Sequence, residues 1–456
     1  MKLLVFAHTP PPHHGQSYMV KLMLEGFGGD RRRKRNEPEP DRQSDPYGIE
    51  CYHVNARLSR DLEDIGEFRP AKVLLLLWYC LQAIWCRFRY GVDTLYYVPA
   101  PGKRSALFRD WLVMTLCRPF FKKVVLHWHA AGLAKWLETH TQMRTRAMTY
   151  RAYRNVDLSI VLSSYNRRDA EKLWPKEIRI VPNGIPDPCP NFETSVLPRR
   201  RARVAARLKL LSGVGLTPGE VQAAGGDPHI FKVLFLGHCT RDKGLFDTMD
   251  GVALANAKLA ELGIPIRAQL VVAGGFMHEH EQAEFEARLA AQNQLVLPGF
   301  PVATVPGQPE SVSALVGARS SLPQFTYMGF VSGAAKASAL RDADCLCFPT
   351  YYHAESFGLV IIEAMAFGLP VVASNWRSIP EIVPPGYPGL VQPRSPKQIA
   401  DGIIKMLTFN DAEVLRARFL ERFSLEQYLK GMAEAIRSLD KPGVAHAAAV
   451  QSRPVV

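Results

Sequence analysis

The chain has 456 residues, 47% of them hydrophobic, and a formal net charge of +13. That length exceeds what one hydrophobic core sustains, so two domains are expected, and the composition excludes a chain disordered throughout. The positive balance favours anionic partners, whether nucleotide phosphates, anionic lipid or nucleic acid, and does not by itself choose among them.

A short apolar run at 2–7 reads as a strand and is too short for an export signal, which points to the cytoplasm. The proline loop HTPPPHHGQS follows at 8–17. Residues 28–48 are charged and proline-containing and read as a surface insertion. They include the basic run RRRKR at 31–35, which has a counterpart, RRRAR, at 199–203. Both runs read as solvated surface, with contact to an anionic membrane surface as the alternative. Further strand candidates lie at 51–55, 94–98, 123–127, 158–162 and 178–181. Several are unbroken apolar runs, the pattern of parallel strands covered on both faces. Between the second and third lies VLLLLWYCLQAIWC at 73–86, the most apolar helix candidate. At ~14 residues it falls short of the ~20 a membrane span needs. With Lys72, Arg87 and Arg89 flanking it, burial as a crossover helix is the expectation and an interfacial helix the alternative.

Residues 186–230 combine PDPCP, a basic helix-like stretch and a glycine-rich stretch, and read as a linker with decoration. The expected division is a first domain at 1–185, a second at 231–410, helices at 411–440 able to cross back to the first domain, and a frayed tail at 441–456. Strand candidates resume at 232–236, 268–272, 325–328, 344–348 and 370–373. Residues 277–323, with the polar helix EHEQAEFEARLAAQNQ and a low-complexity segment, read as a second surface insertion. Strands alternating with helices predict an α/β protein of two Rossmann-like domains with parallel sheets. The eight cysteines form no CxxC pair, and Cys345 and Cys347 share one strand face as core residues. No zinc spacing is present; His13 and His14 have no neighbouring carboxylate, and no metal or other cofactor is expected.

The strongest chemical signal is FPTYYHAESFGLVIIEAMAFGLP at 348–370: a strand end, a polar loop with Glu355, and an apolar helix opened by Gly358. Glu363 lies inside that helix among aliphatic residues, where a carboxylate is costly without a partner. A structural salt bridge is one solution. A ligand is the other, because the carboxyl end of a parallel strand is where open α/β sheets bind one. The amides of Ser356, Phe357, Gly358 and Leu359 at the helix start suit a diphosphate, and Glu363, one turn on, suits the hydroxyls of a ribose.

With Glu355 and Glu363 eight residues apart in ESFGLVIIEAMAFGLPVVAS, the segment resembles the E-x7-E signature of retaining family 4 glycosyltransferases of the GT-B fold. The resemblance extends to VPNGI at 181–185, FLGHCTRDKG at 235–244, VVAGG at 271–275 and IPEIV at 379–383. It implies two Rossmann-like domains facing across a cleft that holds a nucleotide sugar, UDP- or GDP-linked, and transfer to an acceptor glycan or lipid-linked sugar with retention. By the resemblance, Glu363 binds the donor ribose, Glu355 meets the donor sugar, the backbone at 356–359 meets sugar and pyrophosphate, and Lys243 neutralises the diphosphate leaving group. In the first half, Gly15 matches the family's glycine loop, for which a bare proline turn is the alternative, and His129 matches the histidine that touches the donor sugar.

One place departs from the family. After Gly237, where arginine is common, stands His238, with Arg241 three residues on as a substitute. Two competing readings stay open: a GT-B epimerase or phosphorylase, and a degenerate binding module that holds a nucleotide sugar without turnover. Nucleic acid is the weakest partner class, because the basic runs lack interleaved aromatics.

Overall fold

The computed structural model describes residues 1–11, 15–32, 46–58, 70–99, 101–294 and 324–440. Two six-stranded parallel sheets organise them. The first holds β1 (Lys2–Ala7), β2 (Glu50–Asn55), β3 (Thr94–Tyr97), β4 (Lys123–His127), β5 (Leu158–Val161) and β6 (Ile178–Ile180), in the order β2-β1-β3-β4-β5-β6. The second holds β7 (Ile230–Leu236), β8 (Arg267–Ala273), β9 (Phe325–Tyr327), β10 (Cys345–Phe348), β11 (Val371–Ser374) and β12 (Leu390–Val391), in the order β12-β11-β10-β7-β8-β9. Runs such as LLV in β1 and VLF in β7 are buried because helices cover both faces of each sheet. The two-residue strand β12 escapes a reading by periodicity, since two residues carry no period.

In each sheet the strand order changes direction once, between β1 and β3 and again between β7 and β10. Connections leave in opposite directions at such a point, and a crevice opens beyond the carboxyl ends of the two strands. The loops after β1, β7 and β10 therefore flank the places where a ligand fits.

Between the sheets the segment read as a linker with decoration is ordered and packed. Residues Leu197–Leu211 form a helix, a second helix at Pro218–Ala224 starts with a capping box from Thr217 and Glu220, and Cys189, Phe192, Val196 and Leu197 join the second core. The basic run at 199–203 is not merely solvated surface. Arg200 is buried and donates to the carbonyls of Phe367 (2.7 Å), Ala343 (3.1 Å) and Leu340 (3.1 Å), satisfying the ends of two helices. Arg203 and Arg207 hold buried Asp344 at 3.0 and 2.6 Å. Planar forks with several donors suit this carbonyl-rich environment, and lysines would not replace them. Of the other run, Arg32 pairs with Asp30 at 2.9 Å, and 33–35 lie outside the described residues.

The polar helix of the second insertion, Glu279–Gln294, is packed on the domain through buried Phe285, which meets Phe276 and Tyr327. Residues 295–323 lie outside the described residues, as does 441–456. The chain's last long helix, Leu425–Arg437, leaves the second domain and packs on the first. Ile185 and Ser424 bridge the two segments at the crossing, with Ile185 N donating to Phe423 O and Leu425 N to Ile185 O. Tyr428, Leu429, Met432 and Ile436 then join the core around β1, each worth about 1.5–3 kcal/mol of burial.

Helix Pro70–Tyr90 corrects another expectation. It reaches 21 residues, and only one face is buried, through Leu76, Cys80, Ala83 and Cys86. Leu74, Trp78, Leu81, Trp85 and Phe88 are 55–71% exposed and recur at helical spacing on the opposite side. Ala71–Tyr90 is long and apolar enough to cross a membrane, but its inner face is part of the first domain's core, which crossing would strip away.

Candidate active site

The second crevice is built by two loops. After β7 the chain passes Gly237 and His238 to Lys243; after β10 it passes Thr350 and Tyr352 to Glu355. Gly244 joins them: its φ is +84°, and a Cβ there would meet the Pro349 carbonyl at 2.7 Å. Only glycine combines that backbone conformation with that approach. Lys243 Nζ consequently sits 2.6 Å from Glu355 Oε2, with the lysine 17% and the glutamate 10% exposed at the side chain. The ammonium also lies 4.7 Å from the Tyr352 ring centroid and 5.7 Å from that of Phe348. Thr350 Oγ1 lies 3.5 Å from the same carboxylate oxygen.

Gly358, at φ +85°, caps helix Leu359–Ala366, and its first amides have no intrahelical acceptor. Across the cleft, Gly15 opens helix Gly15–Gly26; a Cβ on it would stand 3.2 Å from Leu359 Cδ1. The starts of two helices, one from each domain, thus come together, and helix N-termini attract anions. Phe357 contributes backbone only, its ring being buried against Phe423. Glu363 is buried and ion-paired to Lys336 at 2.7 Å. Lys336, on helix Gly333–Asp342, keeps 35% of its side chain exposed, so the pair opens onto solvent. Tyr18 of the first domain feels both charges, its phenol raised by burial above all.

The first domain closes over this loop. Ser356 Oγ donates to the His129 carbonyl at 2.6 Å, and Asn166 Nδ2 and Ser378 Oγ donate to the Ser356 carbonyl at 3.0 and 2.6 Å. Glu381 accepts the Ser164 and Tyr165 amides, both at 2.8 Å, capping helix Ser164–Glu171 from the other domain. The His129 ring lies 4.1 Å from that of His127. His127 is fully buried, shares a 2.6 Å hydrogen bond with the Tyr96 hydroxyl, and is held neutral chiefly by burial, well below the usual imidazole range.

The two candidate substitutes for arginine differ from a cation aimed at the cleft. Burial, then Lys243, lowers the His238 pKa, so near pH 7 it is a neutral hydrogen-bonding group. Arg241 is ion-paired to Glu284 and lies 4.6 Å over the Phe246 ring, its backbone amide donating to Glu281 at 2.7 Å. Lys336, Tyr352, Ser378 and Glu381 were not singled out from sequence. For Glu381 the signal was present in IPEIV; for Lys336 there was none, since its partner is 27 residues away.

Residues 227–422 match the family model of glycosyl transferases group 1. Over that stretch, less than half of the chain, the sequence is similar to the glycosyl transferases group 1 family. The matched stretch contains β7 to β12, Lys243, Glu355 and Glu363. Phosphatidyl-myo-inositol mannosyltransferase of Mycobacterium leprae is 39% identical over 115 residues, 25% of this chain and 27% of that protein. D-inositol 3-phosphate glycosyltransferase of Mycobacterium bovis is 30% identical over 155 residues, 33% of this chain and 32% of that one. The matches span between about a quarter and a third of these relatives' lengths. Solved structures extend the likeness to both domains. Sucrose-phosphate synthase from Thermosynechococcus elongatus superposes with a TM-score of 0.57 at 19% identity, covering 96% of this chain and 99% of that one. An alpha,alpha-trehalose 6-phosphate synthase from Burkholderia multivorans gives 0.59 at 11%, with the same coverage. At those identities the likeness establishes the fold alone, GT-B, and the matched stretch falls in its second half.

Proposed function

We propose that the protein is a retaining glycosyltransferase that moves a sugar from a nucleoside-diphosphate sugar to an acceptor hydroxyl. The observation that carries this reading is the Lys243–Glu355 pair at the β7/β10 crevice, within reach of a helix N-terminus and closed by His129 and Asn166 from the other domain. In this scheme Glu363 accepts the ribose hydroxyls, exchanging part of its contact with Lys336. The diphosphate meets the amides at 356–359 and Lys243. As the glycosidic bond to the diphosphate breaks, negative charge grows on the leaving oxygen, where a preorganised ammonium lowers the barrier most. The acceptor hydroxyl attacks from the same face. Its proton passes to the departing phosphate, so the enzyme supplies no nucleophile, and Glu355 and the backbone at His129 orient the sugar. The cation at the leaving group is Lys243, and no metal is invoked.

The acceptor proposed is a lipid-linked or lipid-bound sugar or polyol at an anionic membrane surface. Supporting this are the exposed apolar stripe of helix Pro70–Tyr90, with Phe108 and Phe120 also exposed, and the exposed cations Arg89, Lys103, Arg104 and Lys122. The curated mannosyltransferase relative, by its name, acts on a phospholipid. Eight buried free cysteines support a reducing cytoplasmic setting. The test is acceptor-dependent release of UDP or GDP from a panel of nucleotide sugars, with vesicles of anionic lipid as acceptor source. Glu355→Gln is expected to keep its melting temperature and lose about 10²–10³ of the rate. Release without acceptor, or equal rates in both proteins, would refute the assignment, and donor binding without any transfer would favour the non-catalytic module.

A further inference from the structure

Arg377, in the turn between β11 and Ile379, lies against Tyr165 and Gly132 of the first domain. Its φ is +52°, a left-handed conformation rare for a residue with a long side chain and tolerated where the surroundings enforce it. The guanidinium lies 5.7 Å from the Tyr165 ring centroid of the first domain and 5.5 Å from that of Trp376. Opposite is Gly132, three residues after His129: a Cβ there would stand 3.0 Å from Nη1 and 3.3 Å from Nη2, so a larger residue would fill the space the guanidinium occupies. Nε and Nη1 are buried and have no hydrogen-bond partner, and no carboxylate forms an ion pair with Arg377 among the described residues.

Two buried guanidinium donors with their hydrogen bonds unmade are costly in a protein that leaves them so. Its planar fork matches a phosphoryl or carboxylate oxyanion in bidentate geometry. The location adds direction. Trp376 Nε1 donates to the Tyr352 carbonyl at 3.0 Å, and the Tyr352 ring covers Lys243, so Trp376 and Tyr352 link Arg377 to the reacting centre. Ser378, next in the turn, and Glu381, in helix Ile379–Ile382 just after it, tie it to Ser356 and to the first domain. The segment that carries Arg377 is therefore tied to both domains.

We infer that Arg377 is an anion-recognition residue of the interdomain cleft, its guanidinium edge receiving an oxyanion of a bound substrate, supplied by the donor diphosphate or by a charged group on the acceptor. The inference rests on the cleft being the substrate site, and on the nucleotide-sugar reading only for the first of these two sources.

Isothermal titration of the full chain, wild type and Arg377→Gln, tests it in two arms at constant ionic strength. One arm titrates UDP and GDP; the other titrates inorganic phosphate with the better nucleotide saturating, or alone if neither binds. A loss of about tenfold to 150-fold is expected in one arm, the range for charge-assisted hydrogen bonds. Loss in the nucleotide arm identifies the donor diphosphate as the source, and loss confined to the phosphate arm identifies a separate acceptor subsite. Arg377→Lys, which keeps the charge without the planar fork, is expected to stay below wild type in the same arm. Equal affinities of wild type and Arg377→Gln in both arms would overturn the inference. So would a fall of roughly 5 °C or more in the melting temperature of Arg377→Gln with binding intact, which would make Arg377 a clamp between domains. If neither nucleotide binds the wild type, the donor reading fails while the phosphate arm still decides the role of Arg377.

Discussion

Replacing Glu363 with Gln separates two roles that one carboxylate can have. In the free protein it is ion-paired to Lys336 at 2.7 Å, with the glutamate 11% and the lysine 35% exposed at the side chain. Because the lysine remains partly in water, the pair is discounted toward the surface value, about 0.5–1 kcal/mol, and the amide relieves the burial of a charge. Glu363→Gln should therefore change folding stability by about 1 kcal/mol or less in either direction. Lys336→Met, which leaves the buried carboxylate without its cation, should cost about 2 kcal/mol. Binding should follow a different pattern. Two ribose hydroxyls donating to a carboxylate contribute about 1.5–3 kcal/mol each, and an amide oxygen retains part of that. A net loss of about 1.5–3 kcal/mol corresponds to a nucleotide affinity lower by about 10- to 150-fold. Urea denaturation and calorimetric titration with UDP and GDP read the two quantities on one sample. Destabilisation of Glu363→Gln by 3 kcal/mol or more on the scale of a broken buried pair, with nucleotide affinity unchanged, would show that the carboxylate is structural and refute the reasoning.

Asp344→Asn should destabilise the second domain by about 3–5 kcal/mol in thermal or urea unfolding, because it leaves the buried Arg203 and Arg207 without their anion. His127 is neutral in the fold, its pKa depressed by burial, so below its unfolded value of about 6.5 only the unfolded chain takes up the proton. Stability is therefore full above that pH and falls below it by up to about 1.4 kcal/mol per pH unit for this group; urea midpoints at pH 7.5, 6.5 and 5.5 should show a shallower fall in His127→Asn than in wild type. Trp78→Ser with Trp85→Ser should abolish flotation with anionic vesicles while leaving the melting temperature within about 2 °C, since both rings are more than half exposed. Flotation equal to wild type would remove the helix from membrane contact.

Much of the fold was legible because its signals are local. Most strands are short, largely apolar runs, so β1 and β4 have the bounds their sequence predicts, and most others differ by one or two residues. The candidate site was legible for the same reason: Glu355, the helix start and Glu363 lie within one strand–loop–helix unit whose geometry follows from a few consecutive residues. Side chains whose meaning depends on a distant partner were not legible. Arginines 200 and 203 looked like a solvated run until helix ends some 140 to 170 residues away were brought to them. Helix Pro70–Tyr90 showed its apolar content but not its orientation, since a sheet can cover only one of its two apolar faces. Local sequence determined where the elements begin, end and turn, through backbone propensity and burial that act over a few residues. Which charges meet, which apolar face stays bare and which guanidinium is left without a partner were decided by the tertiary structure, because Coulomb and contact energies depend on distance in space and not on separation along the chain.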